Sequence, residues 1–229
     1  MNIKDFSAEA LRFQAVWSTC GIPRRLAQAS FASYEPAGPE KEQALKRCQA
    51  FADKGLDIIR QGQGIFLQGP VGTGKSHLLV SVLRCLLENN IMSFGKPPGQ
   101  YGFVDEPAYS GYYCSMFSVV DLLGTLRESF GNDRLKAAAL TMLHRARCDA
   151  IVILDDIGAE KPSEFVEEQL YALIDLRYRM QRSTFFTTNC TMKQLEGQIG
   201  SRSVSRIMEM CVGVRVGGED WRKCLRLDN

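Results

Sequence analysis

The sequence predicts an α/β fold in which a parallel sheet is sandwiched by helices, and three observations predict it. Short runs of β-branched and aromatic residues alternate with longer segments of helical period. A glycine-rich stretch, "GPVGTGKS" (69–76), stands between one such run and one such segment. The apolar run "AIVIL" ends in two adjacent aspartates, Asp155 and Asp156. The alternation gives crossover connections and a sheet covered on both faces. The other two features place bare backbone and charge at strand ends, where such sheets bind ligands.

The elements follow in order. Residues 5–19 predict a short helix with Phe6, Leu11, Val16 and Trp17 apolar, and "CGIPRRLAQASFASYEPAGP" (20–39) then clusters proline and glycine. A helix is expected from about Glu40 to Arg60, ended by "QGQG" (61–64), and a strand "IFLQ" (65–68) leads into the glycine-rich stretch. Helix 75–88 carries apolar residues at 78, 79, 82, 83, 86 and 87, a stripe of helical period. Strand 112–117 precedes a helix opened by Ser118, with Asp121 at capping-box spacing. Strand 150–154, helix 163–181 capped by Ser163, strand 184–189, two short helices and strand 211–216 complete the order. Residues 94–111 carry four glycines and three prolines, a loop long enough to be either functional or a tolerated surface insertion.

The chain of 229 residues, 45% hydrophobic and 24% charged, suits one α/β domain (36–229) with an N-terminal extension (1–35). Without a bilayer-length apolar run or a signal-peptide core, no membrane association is expected, and the location is read as cytoplasmic. Eight cysteines without a C-x-x-C pair, and only two histidines, give a zinc site little support and suit reduced thiols. A net charge of +2 leaves any nucleic-acid binding to a local patch.

"GPVGTGKS" matches the phosphate-loop pattern. Gly69, Pro70, Val71, Gly72, Thr73 and Gly74 let backbone N–H groups face phosphates at a helix start; Lys75 reaches the β/γ-phosphates, Ser76 offers a hydroxyl to Mg²⁺, and His77 follows. Asp155 is the matching magnesium partner, and Asp156 polarises the attacking water. Aspartate is about 1.5 Å shorter than the glutamate many such sites use. Misplacement by about 1 Å costs on the order of 10²-fold, so slow turnover is expected. "FFTTN" places Thr188 and Asn189 beside the same phosphate.

Together these residues resemble the AAA+ ATPases of the DnaC/DnaI helicase-loader and IstB transposition-helper family, from about Cys20 to the C-terminus. "CGIPRRLAQASFASY", "GPVGTGKSHL", "VVDLLGTLRESF", "ILDDIGAEKPSEFVEEQLYALIDLRY" and "FFTTN" follow in the family's order. The resemblance implies a P-loop NTPase (AAA+) core without a separate lid domain, using ATP and Mg²⁺. It makes Asn189 the sensor-1 residue and Arg222 a sensor-2-like arginine. Within "GSRSVSRIMEM" (200–210), Arg206 aligns with the arginine finger, with Arg202 four residues away on the same helix face as the alternative. Residues 121–143 correspond to the family's extra helical insertion, which grips single-stranded DNA. Arg127, Arg134 and Lys136, with Arg145 and Arg147 beyond, would supply phosphate contacts.

The function implied is a helicase-loader-like ATPase of DNA replication. It would self-associate into a ring or spiral, bind single-stranded DNA and engage a replicative helicase through residues 1–35. An IstB-like helper acting on duplex DNA and a transposase, and a nucleotide-binding adaptor with negligible hydrolysis, are the alternatives. A small-molecule phosphotransferase shares the phosphate loop but lacks support from the Asp-Asp strand, Asn189 and the C-terminal arginines.

Overall fold

The structure, a computed structural model, describes residues 7–94, 112–218 and 220. Residues 95–111 of the glycine- and proline-rich stretch, and Arg222, lie outside the described residues.

Five parallel strands form one sheet: β1 (Gly64–Gln68), β2 (Cys114–Ser118), β3 (Ile151–Asp155), β4 (Ser183–Thr188) and β5 (Cys211–Arg215), in the order β2-β3-β4-β1-β5. The chain crosses from β1 to the far edge and works back, so the carboxyl ends of β1, β3 and β4 lie side by side. Strand residues alternate between two cores, as the two-residue period requires. Ile65, Leu67, Ile151, Ile153 and Phe185 pack on one face. Phe66, Val152, Leu154 and Phe186 pack on the other. Burial on both faces is why β1 and β3 read as unbroken apolar runs.

The first face is covered by α1 (Ala8–Trp17), α2 (Pro39–Ala52) and α4 (Lys75–Asn90). The second is covered by α5 (Val119–Ser129), α6 (Asp133–Cys148), α7 (Glu164–Arg179), α8 (Met192–Ile199) and α9 (Ser201–Met210). Val16, Trp17, Cys20, Ala29 and Tyr34 share the first core with α4, so side chains before and after residue 35 pack together. Ser118 and Ser163 cap α5 and α7 through bonds from the Asp121 and Val166 amides. The helix expected over 40–60 divides instead into α2 and α3 (Asp57–Arg60). Gly55 between them adopts φ +57°, a left-handed conformation that ends a helix. Phe94 bridges Tyr112 in parallel and their rings meet edge-on.

Arg177 is fully buried and fastens α7 to its neighbours. Its guanidinium donates to Thr184 Oγ1 and to the carbonyls of Ala146, Asp149 and Ser183, a bracket beneath β3 and β4. Arg145, expected among the DNA contacts, is partly buried and engaged within the chain. It pairs with Asp149 and donates to the carbonyls of Thr19 and Cys114.

Candidate active site

After β1 the backbone turns through Gly72 (φ +76°) and Gly74 (φ +92°) into α4. Any side chain at Gly74 would also come within 2.6 Å of the Tyr34 ring. The loop thus needs glycine there for both conformation and space. The Tyr34 hydroxyl donates to the Thr73 carbonyl at 3.1 Å, and burial, then Cys48, pushes the phenol up to about 12, so it stays a donor at neutral pH.

Lys75 opens α4 with its ammonium curled into this loop. Its three donors meet the carbonyls of Gly69 (2.9 Å) and Pro70 (2.7 Å) and Asn189 Oδ1 (2.6 Å). Ser76 Oγ donates to Asp155 Oδ1 at 2.7 Å, joining the helix start to the end of β3. That bond uses the hydroxyl proton and leaves the oxygen lone pairs for a cation.

The two adjacent carboxylates have different settings. Asp155 is the last residue of β3, whereas Asp156 has φ +60° and leaves the strand. Consecutive strand residues point to opposite faces; the left-handed turn brings Asp156 round to Asn189, whose Nδ2 donates to Asp156 Oδ1. Asn189 therefore touches both Lys75 and Asp156. Thr187 Oγ1 donates to Asp155 Oδ1 and accepts from the Asp156 amide, both at 2.7 Å.

These groups face a cleft of about 770 Å³, lined by residues 71–77 with Asp155, Asp156, Thr187 and Asn189. Its volume is in the range of sites that hold a small ligand. Arg25, Tyr34, Glu35 and Lys41 also line it. His77 lines it too, with Nε2 3.2 Å from Ser33 Oγ and 3.1 Å from the Ser30 carbonyl, turned toward the segment before α2. Gly69 and Pro70 take part through their carbonyls. Among the described residues no group of three or more His, Cys, Asp or Glu could hold a metal by itself.

Thr188, expected beside the phosphate, instead donates to the buried Ile157 carbonyl at 2.6 Å. Its neighbour Thr187 faces the cleft. Strand alternation predicts this: Asn189 and Thr187 share one side and Thr188 the other. Tyr34 gave no local signal, being 39 residues from its partner.

Arg206 lies outside the cleft. It donates to Asp175 Oδ1 at 2.7 Å and Tyr171 Oη at 3.1 Å, with its guanidinium over the Tyr171 and Tyr178 rings. Arg202, one turn earlier, is exposed. On α5 and α6, Arg127, Arg134 and Lys136 are exposed, and so is Phe130, by 77%. No helix among the described residues is long and apolar enough to cross a membrane.

No protein-family model matches the chain. It is 22% identical over 224 residues to the replicative helicase loader DnaI of Bacillus subtilis, covering 91% of this chain and 63% of that protein. Among solved structures, the DnaC helicase loader superimposes with a TM-score of 0.67 at 23% identity, covering 85% of this chain and 99% of that one. The replication initiator DnaA bound to AMPPCP and single-stranded DNA superimposes with a TM-score of 0.61 at 15% identity, over 84% of this chain and 50% of that one. The five-stranded sheet and its helices are the AAA+ P-loop fold of these proteins.

Proposed function

Taking the chain as a DnaC/DnaI-like AAA+ protein, we propose that it binds and hydrolyses ATP with Mg²⁺ in a self-assembled state, and serves as a replicative helicase loader on single-stranded DNA. The observation that carries this reading is the convergence of Lys75, the Ser76–Asp155 pair and the Asp156–Asn189 pair on one cleft.

Each group has a task in hydrolysis. The carbonyls of Gly69 and Pro70, with Asn189, hold the Lys75 ammonium where phosphate oxygens would replace them. Ser76 and Asp155 offer one hydroxyl and one carboxylate, a set that fits a cation keeping water and phosphate oxygens as its other ligands. When bound, Mg²⁺ neutralises charge developing on the phosphates. Asp156 accepts a proton from water, and Asn189, hydrogen-bonded to it, orients that water without adding charge. Arg206, or Arg202, is supplied to a neighbouring subunit's phosphate, making turnover depend on assembly. Arg222 is read as the sensor-2-like arginine.

For DNA, exposed Arg127, Arg134 and Lys136 supply phosphate contacts, and Phe130 supplies a face for base stacking. The DnaA structure bound to single-stranded DNA shares the fold. Residues 1–35 are read as the helicase-binding segment.

The test is steady-state ATP hydrolysis against protein concentration, with and without single-stranded DNA. Specific activity that rises with concentration and changes with DNA supports the reading; activity flat in both overturns assembly-dependent, DNA-coupled hydrolysis. Mixing Arg206→Ala with Lys75→Ala protein should restore part of the activity. A dead mixture of folded, assembling mutants would remove Arg206 from the in-trans role.

A further inference from the structure

We infer that Thr187 is a positioning residue whose single hydroxyl fixes both acids of the site, and hence sets how well the protein uses its metal ion. The inference rests on the nucleotide-site reading above.

Thr187 lies near the end of β4 and is buried, 1% exposed. A hydroxyl has one proton to give and lone pairs to receive. Both functions are used: the proton goes to Asp155 Oδ1, and an oxygen lone pair takes the Asp156 N–H. One oxygen atom thus touches the side chain of the first acid and the backbone of the second. Two donors, Ser76 Oγ and Thr187 Oγ1, meet at the same oxygen of Asp155 and orient that carboxylate. A carboxylate held this way has its orientation fixed, and with Ser76 it would serve as a ligand of a bound cation.

The bond to Asp156 acts on conformation. Asp156 is one of only two non-glycine residues with positive φ among those described. Such a backbone persists where its surroundings over-determine it. Here the Thr187 hydroxyl receives the amide of Asp156, and the Thr187 carbonyl receives the amide of Ile157 at 2.9 Å. Thr187 therefore holds the turn from both its side chain and its backbone. Only the side-chain half can be removed by substitution, which makes the role separable. Groups that orient a metal's direct ligands in this way are worth about 10–100-fold in metal affinity or activity.

The experiment compares Thr187→Val, which keeps shape and strand propensity but has no hydroxyl, with Thr187→Ser, which keeps the hydroxyl. Binding of a fluorescent ATP analogue is followed by titration with Mg²⁺, and separately in EDTA, with thermal unfolding as the check on folding. The expectation for Thr187→Val is a Mg²⁺ midpoint raised about 10-fold or more, nucleotide affinity in EDTA changed less than about 3-fold, and Thr187→Ser within about 3-fold of the parent in both. A folded Thr187→Val protein with the parent's Mg²⁺ midpoint overturns the inference. So does a Thr187→Ser protein as impaired as Thr187→Val, because the methyl group and not the hydroxyl would then matter. Parent binding that shows no response to Mg²⁺ overturns the inference and leaves the nucleotide site standing, whereas a folded parent that does not bind the analogue at all overturns the nucleotide-site reading itself.

Discussion

Arg206 and Asp175 form a hydrogen-bonded ion pair, Nε to Oδ1 at 2.7 Å, that ties α9 to α7 within one chain. The Asp175 carboxylate also accepts from Arg179, and the two arginines hold it below its ordinary value against the opposing effect of burial. If Arg206 is the arginine offered to a neighbouring subunit, it must leave this cradle, and Asp175 then opposes assembly-dependent turnover. Asp175→Asn should lower the protein concentration for half-maximal ATP hydrolysis by about two- to fivefold, a modest change because the pair is partly exposed. An unchanged midpoint would show that Arg206 stays on α7 throughout, leaving Arg202 as the candidate.

The left-handed backbone of Asp156 makes asparagine a well-tolerated replacement there, since Asn adopts φ > 0 more readily than most residues. Asp156→Asn keeps an acceptor for Asn189 Nδ2 but removes the carboxylate proposed as the base. Nucleotide affinity should stay within about threefold while turnover falls by about 10²-fold or more. Lost binding, measured by titration with a fluorescent analogue, would instead make Asp156 part of the scaffold.

Features written in neighbouring residues were legible in the sequence, and those made across the chain were not. The glycine-rich loop, the pair Asp155 and Asp156, and the Ser118 and Ser163 caps depend on spacings of a few residues: the loop opens α4, Asp155 ends β3, and each serine caps its helix. Thr187 and Thr188 are adjacent and identical, and only their register against β3 decides which hydroxyl reaches Asp155. The bend at Gly55 was missed because one glycine inside an apolar-periodic segment reads as a tolerated defect until its φ is known. The Arg206 cradle joins residues 31 and 35 positions apart, and no pattern of period 3.6 announces it.

Tyr34 gives the second long-range link to the site. Tyr34→Phe removes the donor to the Thr73 carbonyl while keeping the ring against Gly74. Losing one hydrogen bond of this kind costs about 0.5–1.5 kcal/mol, so nucleotide affinity should fall about 2- to 10-fold. Tyr34→Ala, which also removes the buried ring, should lower thermal stability as well. Equal affinity for Tyr34→Phe and parent, read by the same titration, would mean that the ring alone braces the loop.

Glu160, four residues beyond Asp156, is a buried acid with a pH signature. It is 8% exposed, its Oε1 accepts from the Gly158 amide, and its Oε2 has no partner. Burial pushes its carboxyl above the ordinary value; the amides of its own loop pull it part way back, and Asp156 pushes it up again. The folded protein therefore holds this proton at pH values where the unfolded chain has released it. Stability falls as pH rises from the ordinary carboxylate value through the folded one, and the ionised group is a net cost above that window. Glu160→Gln keeps an oxygen for the Gly158 amide and carries no charge. Its melting temperature at pH 7–8 should exceed the parent's by about 1–3 °C. The difference should shrink on acidification and vanish below the ordinary carboxylate value, where both side chains are neutral. A Glu160→Gln protein less stable than the parent at neutral pH and equal to it in acid would reverse the sign, and would show that the ionised carboxylate is stabilised by its loop more than burial penalises it.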